Sequence, residues 1–254
     1  METHSAHESR RLASMSRRGR AAVLATALAC AASAAPAHAQ TPPYDLEKLE
    51  RGEMRFDLML DGEVRGEWFV SKRIEDGAFT LIDATTLYPD IRETVAFVVD
   101  AVTLAPRRAV LDADFSRRIL DADLTGAAGA IRGEYRTKGP DEVDKRIIPF
   151  ELALDADVTF RGVVFHLAPT LPLEEGARYE ARWFNTLNGQ IEDISISVGG
   201  TETVETPAGV FEARRMTFEG GSVGNVIYVA EGDAPKIVRV DVLGQNMTFL
   251  RRRD

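Results

Sequence analysis

Apolar and polar residues alternate along most of the chain from about residue 52 onward, and short turn sequences separate the alternating runs. Val238, Val240 and Val242 alternate with charged residues, which is the period of two expected for a strand with one buried face. Four such runs follow one another between residues 199 and 250, joined by turn sequences such as GGS at 220–222. This stretch is predicted to be an antiparallel meander.

Further alternating runs precede the meander. The dipeptides DG at 61–62 and NG at 188–189 are typical of two-residue hairpin turns, because both central positions favour positive φ. The run after the first of them is predicted to place Val64, Trp68 and Val70 on one face. The predicted strands before the meander span residues 54–60, 64–70, 78–87, 94–100, 107–114, 115–124, 130–136, 178–184 and 191–198.

The period changes in residues 154–167, where five apolar residues fall on one helical stripe: Ala156, Phe160, Val163, Val164 and Leu167. This spacing predicts a helix over 154–167 with Asp155 as its N-cap. Strand is the alternative, because valine and phenylalanine favour strands and Gly162 weakens a helix by about 1 kcal/mol. About a dozen strands and one or two helices predict an all-β fold with a strongly curved antiparallel sheet or barrel.

The first 39 residues have the features of a cleaved secretory signal. Arginines at 17, 18 and 20 precede an apolar stretch at 21–35, and AHA at 37–39 supplies small residues for cleavage before Gln40. The apolar stretch is shorter than the roughly 20 residues of a spanning helix, so no transmembrane span is predicted. Met15 is an alternative start. The mature protein is therefore expected in the periplasm or outside the cell.

After cleavage, residues 40–51 are a lead-in and residues 52–254 are predicted to form a single half-barrel domain. A domain boundary in the polar loop at 139–146 is the alternative. Residues 1–39 hold five of the 31 basic and two of the 40 acidic residues, which leaves a mature charge of −12. Such an acidic chain repels nucleic acid and anionic headgroups, which argues against both as primary partners.

Catalytic and metal-binding residue types are scarce after the signal. His166 is the one histidine and no cysteine remains, so clustered zinc or copper sites and thiol nucleophiles are excluded. No Gly-x-Ser-x-Gly elbow presents a serine to His166. Asp-Ala-Asp at 112–114, 121–123 and 155–157 could bind calcium or supply an acid and a base, but solvated strand faces are the preferred interpretation. No catalytic residue, metal or cofactor is predicted.

Several local patterns together carry a family resemblance: the hairpin at 52–69, the sequence LPL at 171–173 followed by Gly176, and VETPAGVF at 204–211. On these patterns the mature chain resembles secreted bacterial proteins of unknown function whose fold is related to the periplasmic lipoprotein carriers and their outer-membrane receptor. The resemblance implies an incomplete β-barrel with helix against its concave, apolar side, and a lipid-like ligand. It supplies no catalytic residues.

Aromatic and apolar side chains in the predicted helix and strands are the candidate ligand-binding residues. An open barrel that does not fill its own concave side would leave a cleft, with a wall of Trp183, Phe218 and Tyr228 and a plug of Phe160, Val164 and Leu167. An ordinary filled core is the alternative. The leading hypothesis is a non-enzymatic carrier of a lipid or acyl chain in the cell envelope.

Two other functions remain open from the sequence. The first is a protein-interaction or envelope-assembly module that holds an envelope protein at an exposed sheet edge or rim. The second is a hydrolase that acts through paired carboxylates such as Asp112 or Asp155.

Overall fold

The computed structural model describes residues 42–253, and its main feature is one continuous fifteen-stranded sheet. The strands are β1 (Gly52–Leu60), β2 (Glu63–Glu75), β3 (Ala78–Leu87), β4 (Ile91–Asp100), β5 (Pro106–Phe115), β6 (Arg118–Ala127), β7 (Ala130–Lys138), β8 (Arg146–Ala153), β9 (Val158–Phe160), β10 (Arg178–Asn185), β11 (Gln190–Thr206), β12 (Gly209–Gly220), β13 (Asn225–Ala230), β14 (Lys236–Val242) and β15 (Met247–Arg251). One α-helix, α1 (Arg161–Leu167), and one 3-10 helix (Ala168–Thr170) follow β9. The predicted export signal and its cleavage site before Gln40 lie outside the described residues.

The order of strands in the sheet places the first and last strands side by side. From one edge to the other the sheet runs from β8 back to β1, then from β15 back to β9. Neighbouring strands are antiparallel except β9 and β10, which are parallel. Only residues 154–157 connect the two edge strands, and five extended Cα steps span at most roughly 18 Å. The sheet must therefore curl until its edges approach each other.

Side chains join the two edges of the curled sheet. The Tyr135 hydroxyl of β7 donates a hydrogen bond to the Thr186 carbonyl oxygen after β10, with a distance of 3.0 Å. The Phe150 ring of β8 lies 5.2 Å from that of Tyr135 and 5.7 Å from that of Phe184 in β10. Among the described strands, β8 and β9 have no ladder with each other. The predicted fold class, an all-β incomplete barrel, is confirmed.

The predicted DG hairpin forms for the expected reason. Asp61 and Gly62 have φ values of 51° and 83°, the positive values that a two-residue hairpin turn needs. The NG dipeptide instead ends a four-residue connection, in which the Gly189 amide donates to the Asn185 carbonyl oxygen. A side-chain bond from the Leu187 amide to Asn185 Oδ1 (3.0 Å) stabilises this wider loop.

The helix prediction over 154–167 is correct only in its second half. Residues 158–160 form β9, in which Val158 and Phe160 pair with Arg182 and Phe184 of β10. β-branched and aromatic side chains favour that extended pairing. The N-cap of α1 is Phe160, without a side-chain capping bond, whereas Asp155 forms an ion pair with Arg182 (2.6 Å).

Two strand predictions also need correction. Val64 does not share the buried face of Trp68 and Val70, because it is 59% exposed. The pairing of β1 with β2 shifts register between Leu58 and Met59, and this shift changes which residues of the strand point inward. β8 was not predicted, and part of it was assigned to the polar loop.

The main hydrophobic core lies between the inner face of the sheet and α1. Val163, Val164 and Leu167 of α1 are buried there against inward-facing strand residues such as Phe97 and Ile196. A smaller cluster covers part of the opposite face and consists of Val204, Ala213, Val226, Tyr228 and Val238. The helix therefore covers the concave side, as the resemblance implied.

The contact between α1 and β4 predicts the effect of enlarging Gly162. A Cβ at this position would lie 2.5 Å from Phe97 Cε2, so the Gly162→Ala substitution must displace a buried aromatic ring. Alanine favours the helix by about 1 kcal/mol, but overpacking of a core costs about 1–3 kcal/mol. We expect the free energy of unfolding in urea to fall by up to about 2 kcal/mol.

Gly139→Ala is the matched control for this experiment. A Cβ at Gly139 would meet only Glu142, with its nearest atom at 3.4 Å, so this variant should be at least as stable as the parent protein. Equal stability of the two variants would contradict the close packing of α1 on β4.

Candidate functional site

A cavity of about 300 Å³ lies on the inner face of the sheet beside α1. Eight adjacent strands contribute to its lining, from β5 through β4, β3, β2, β1, β15 and β14 to β13. Most lining side chains are apolar, and they include Leu58, Trp68, Val95, Phe97, Phe165 and Phe249. Three charged side chains, Asp83, Glu93 and Arg161, line the same cavity.

Strand register explains why two carboxylates face this cavity. Asp83 and Thr85 of β3 pair with Val95 and Glu93 of β4, and the inward positions of both strands have odd residue numbers. Asp83 and Glu93 are therefore diagonal neighbours on one face, a relation that places Cα atoms about 7–8 Å apart. The inner face of β3 and β4 thus changes from apolar to acidic beside the cavity.

Asp83 is held by two donors from other elements. The Trp68 indole Nε1 donates to Asp83 Oδ1 (2.6 Å), and His166 Nε2 of α1 lies 3.2 Å from Asp83 Oδ2. His166 is only 1% exposed, and burial lowers its pKa although Asp83 acts in the opposite direction. With a neutral ring, His166 donates its Nε2 proton to Asp83. The carboxylate is thereby satisfied from two sides.

Glu93 is a half-buried carboxyl group without a hydrogen bond or ion pair to any residue in 42–253. Burial and, to a smaller extent, the negative charge of Asp83 raise its pKa from 4.5 to about 7, against the opposing effect of Arg161. The side chain therefore changes its charge near neutral pH, in contact with the cavity.

Arg161 supplies the positive charge of the cavity. The residue is half-buried, and within the described chain its guanidinium has neither an ion pair nor a hydrogen bond. Its one aromatic neighbour is Trp183, whose ring centroid lies 5.6 Å from the guanidinium carbon. The five N–H donors of the side chain are therefore free for another acceptor.

A second polar cluster lies on the inner face beyond the cavity lining. Arg251 makes a bidentate ion pair with Glu50, with distances of 2.9 and 2.7 Å. Lys72 is 3% exposed, and burial lowers its pKa to about 8, with Glu50 opposing and Arg251 adding to that effect. This cluster connects the lead-in to β2 and β15.

The six residues predicted to bind a ligand lie elsewhere. Phe160, Val164, Leu167, Trp183 and Phe218 are buried in the main core, and Tyr228 belongs to the cluster on the opposite face. Trp183 is also fixed by a hydrogen bond from its Nε1 to Glu192 Oε2 (2.6 Å). None of the six is among the residues that line the cavity, and their contact with a ligand stays a prediction.

Sequence reasoning missed the charged residues that line the cavity, although one signal was present. In β3 the apolar Ile82 points outward, whereas Asp83 points inward between Leu81 and Leu87. An acidic residue at an inward position of an otherwise apolar face marks a functional candidate. α1 contributes Gly162 and Phe165 to the lining, next to the predicted Phe160 and Val164.

Four of the six Asp-Ala-Asp carboxylates form surface ion pairs, whereas Asp112 and Asp114 form none within the described residues. Asp123 pairs with Arg108 (3.2 Å), Asp155 with Arg182 (2.6 Å), and Asp121 with Lys145. Within residues 42–253, no three histidine, cysteine, aspartate or glutamate side chains are grouped as metal ligands would be. The described helices include none with the length and hydrophobicity needed to cross a bilayer.

The fold and the cavity define the class of protein. It is an incomplete, mainly antiparallel β-barrel in which a short helix lies on the concave side beside a partly charged cavity. The chain belongs to the family described as "Protein of unknown function (DUF3108)", which matches residues 76–243, more than half of the sequence. The predicted membership of a family of unknown function is confirmed.

One solved structure provides a distant comparison. A "putative exported protein with YmcC-like fold" from Bacteroides fragilis NCTC 9343 is 14% identical, and the alignment covers 81% of this chain and 96% of that chain with a TM-score of 0.28. A TM-score of 0.28 is too low to assign a shared fold or function. A search of curated proteins found no match.

The raised pKa of Glu93 predicts a specific pH dependence of stability. Glu93 binds a proton more tightly in the folded protein, with a pKa of about 7, than in the unfolded chain, with a pKa of 4.5. Its contribution to stability is therefore fully present below pH 4.5 and is lost as the pH rises through 7. The Glu93→Gln variant should not show this loss of stability. The loss amounts to at most about 3 kcal/mol, because water that reaches the cavity reduces the cost of a charged Glu93.

Urea unfolding at pH 4.5 and pH 8 measures this difference. Other groups also titrate between pH 4.5 and pH 8, so the quantity to compare is the free energy of unfolding of the parent protein minus that of the variant at each pH. Relative to the parent protein, the Glu93→Gln variant should be more stable at pH 8 than at pH 4.5. The exposed Glu219→Gln serves as control and should show no shift. A parent-minus-variant difference independent of pH would contradict the desolvated state of Glu93.

Proposed function

We propose that this protein is an exported, non-enzymatic binder or carrier of an amphiphilic molecule with an apolar chain, acting in the cell envelope. The observation that carries the proposal is the cavity of about 300 Å³ with apolar walls on the concave side of the sheet. Export rests on the signal sequence predicted in residues 1–39.

The size and lining of the cavity favour one slender chain. Small-molecule sites are mostly apolar clefts of about 300–1,000 Å³ with a few placed polar groups, and this cavity lies at the lower end of that range. Trp68, Phe97 and Phe249 supply aromatic wall, and the half-buried Phe165 of α1 faces the same space. An acyl chain buries apolar surface along such walls at about 0.8 kcal/mol per CH₂ group.

The polar groups of the cavity support binding without turnover. Asp83 already accepts from Trp68 and His166, so the buried histidine is committed to a structural hydrogen bond. The lining contains no serine, cysteine or lysine, and the hydroxyls of its two threonines, Thr85 and Thr186, have no hydrogen bond to a base within residues 42–253. These features favour a binding role over the hydrolase considered from the sequence.

The two tryptophans of the chain test the location of the ligand. Trp68 lines the cavity, whereas Trp183 is not among the lining residues and lies against Phe218 in the core (6.5 Å between ring centroids). Bromine quenches indole fluorescence only at short range. Brominated dodecanoate should therefore quench the emission of the Trp183→Phe variant, which retains Trp68, more strongly than that of the Trp68→Phe variant.

Unbrominated dodecanoate controls for binding-induced changes in emission, and circular dichroism verifies that both variants fold. Quenching confined to Trp183, or absent from both tryptophans, would contradict the proposed cavity.

One observation favours a second candidate, an interaction with an envelope protein. The outer side of β8 carries no ladder partner in the described sheet, and its Ile147 and Ile148 are 60% and 43% exposed. Such an edge could pair with a strand of another protein. Pro149 within β8 lacks an amide donor and limits that pairing, which makes this candidate the weaker one.

A further inference from the structure

We infer that the amphiphile carries an oxyanion head, a carboxylate or phosphate, and that Arg161 binds this head inside the cavity. The inference rests on the proposed function and names the ligand class of the same cavity. It follows from the charged groups that line the cavity and from the partners those groups already have.

Arg161 is the cationic group of the cavity, and like Glu93 it has no hydrogen bond or ion pair within residues 42–253. Its guanidinium lies against a mainly apolar lining, half-buried. A half-buried cation against a mainly apolar lining is stabilised by an acceptor that forms hydrogen bonds with it. A guanidinium presents its donors as a planar fork that matches a carboxylate or phosphate in bidentate geometry.

Neither Asp83 nor Glu93 is a hydrogen-bond acceptor for Arg161. Asp83 is bound to Trp68 Nε1 at 2.6 Å and to His166 Nε2 at 3.2 Å, and neither it nor Glu93 forms an ion pair with Arg161. Near neutral pH Glu93 is partly protonated, since its pKa is about 7. A protonated Glu93 can donate a hydrogen bond to an oxyanion instead of repelling it.

The order of strands separates the acidic part of the cavity from an uncharged part. Asp83 and Glu93 are on β3 and β4, whereas the lining residues within β1, β14 and β15 are apolar, among them Leu58, Val240 and Phe249. The neighbouring β13 and the β14–β15 turn add two uncharged amides, Asn225 and Gln245. Neighbouring strands lie about 4.8 Å apart, so these two regions are distinct along the curved face. A ligand with its head at Arg161 places its tail across β1, β15 and β14.

The inference is tested with four probes that share a dodecyl chain: dodecanoate, dodecyl phosphate, dodecanol and dodecylammonium. Their affinities for the full exported protein are measured by calorimetry below the micellar concentration. Charged hydrogen bonds contribute about 1.5–3 kcal/mol, so both oxyanions should bind about ten- to hundredfold more tightly than dodecanol. Dodecylammonium should bind more weakly than either oxyanion, because Arg161 repels it and cannot donate hydrogen bonds to it.

Substitutions of Arg161 separate its role from packing. In Arg161→Gln the preference for both oxyanions over dodecanol should disappear while the dodecanol affinity stays the same, which also verifies an intact cavity. Arg161→Lys should retain part of the preference, because it keeps the charge and loses the bidentate fork. Arg92→Gln is the matched control: this outward-facing residue of β4 carries the same charge, and its loss should leave the preference intact.

The outcomes distinguish the inference from the function on which it rests. Equal affinities for all four probes, a preference for dodecylammonium, or an oxyanion preference that survives in Arg161→Gln would overturn the inference and leave the apolar carrier standing. Failure of every probe to bind would overturn both. A preference for only one oxyanion would support the inference and identify the head.

Discussion

The structure depends on how the curled sheet closes. A complete barrel would pair β8 with β9 through a ladder of hydrogen bonds, but among the described strands these two edges are joined only through side chains, with the Phe150 ring lying against Phe184. Because the chain passes from β8 to β9 within residues 154–157 and then enters α1, the segment that follows the edge also covers the concave side. The open seam and the inner helix are therefore consequences of the same connection.

A single short helix covers only part of so wide an inner face. α1 and the 3-10 helix together run from Arg161 to Thr170, whereas the sheet they face has fifteen strands. Val163, Val164 and Leu167 fill the core on one side of the helix, and Arg161, Gly162 and Phe165 face the space that remains. The cavity is thus the part of the concave side that the helix does not fill.

Local patterns in the sequence predicted most strands because those strands depend on alternation and on turn chemistry. The run 78–87 matches β3, and the turn before it, Asp76 and Gly77, has the positive φ values of 50° and 68° expected for a hairpin. β8 is absent from the predicted strands because Ile147 and Ile148 are adjacent and Pro149 follows, which breaks the alternation of apolar and polar residues. β9 is three residues long and exists only through pairing with β10, which no local pattern reveals.

The site was harder to predict because it depends on what each strand faces. Aromatic residues were expected to line a cleft, yet Trp183 and Phe218 pack against each other in the core, and the cavity is lined by Trp68, Phe97 and Phe165. The charged lining is determined by register, which brings Asp83 of β3 beside Glu93 of β4, and by the position of Arg161 in α1. Neither relation is visible before the sheet is assembled.

The most direct test of this account is a crystal structure of the protein grown with brominated dodecanoate, in which anomalous scattering locates the bromine. The account predicts a bromine peak inside the cavity, against the lining from β1, β15 and β14, with the carboxylate at the Arg161 guanidinium. A cavity closed by the Phe165 side chain, with bromine absent or on the outer face of the sheet, would contradict it.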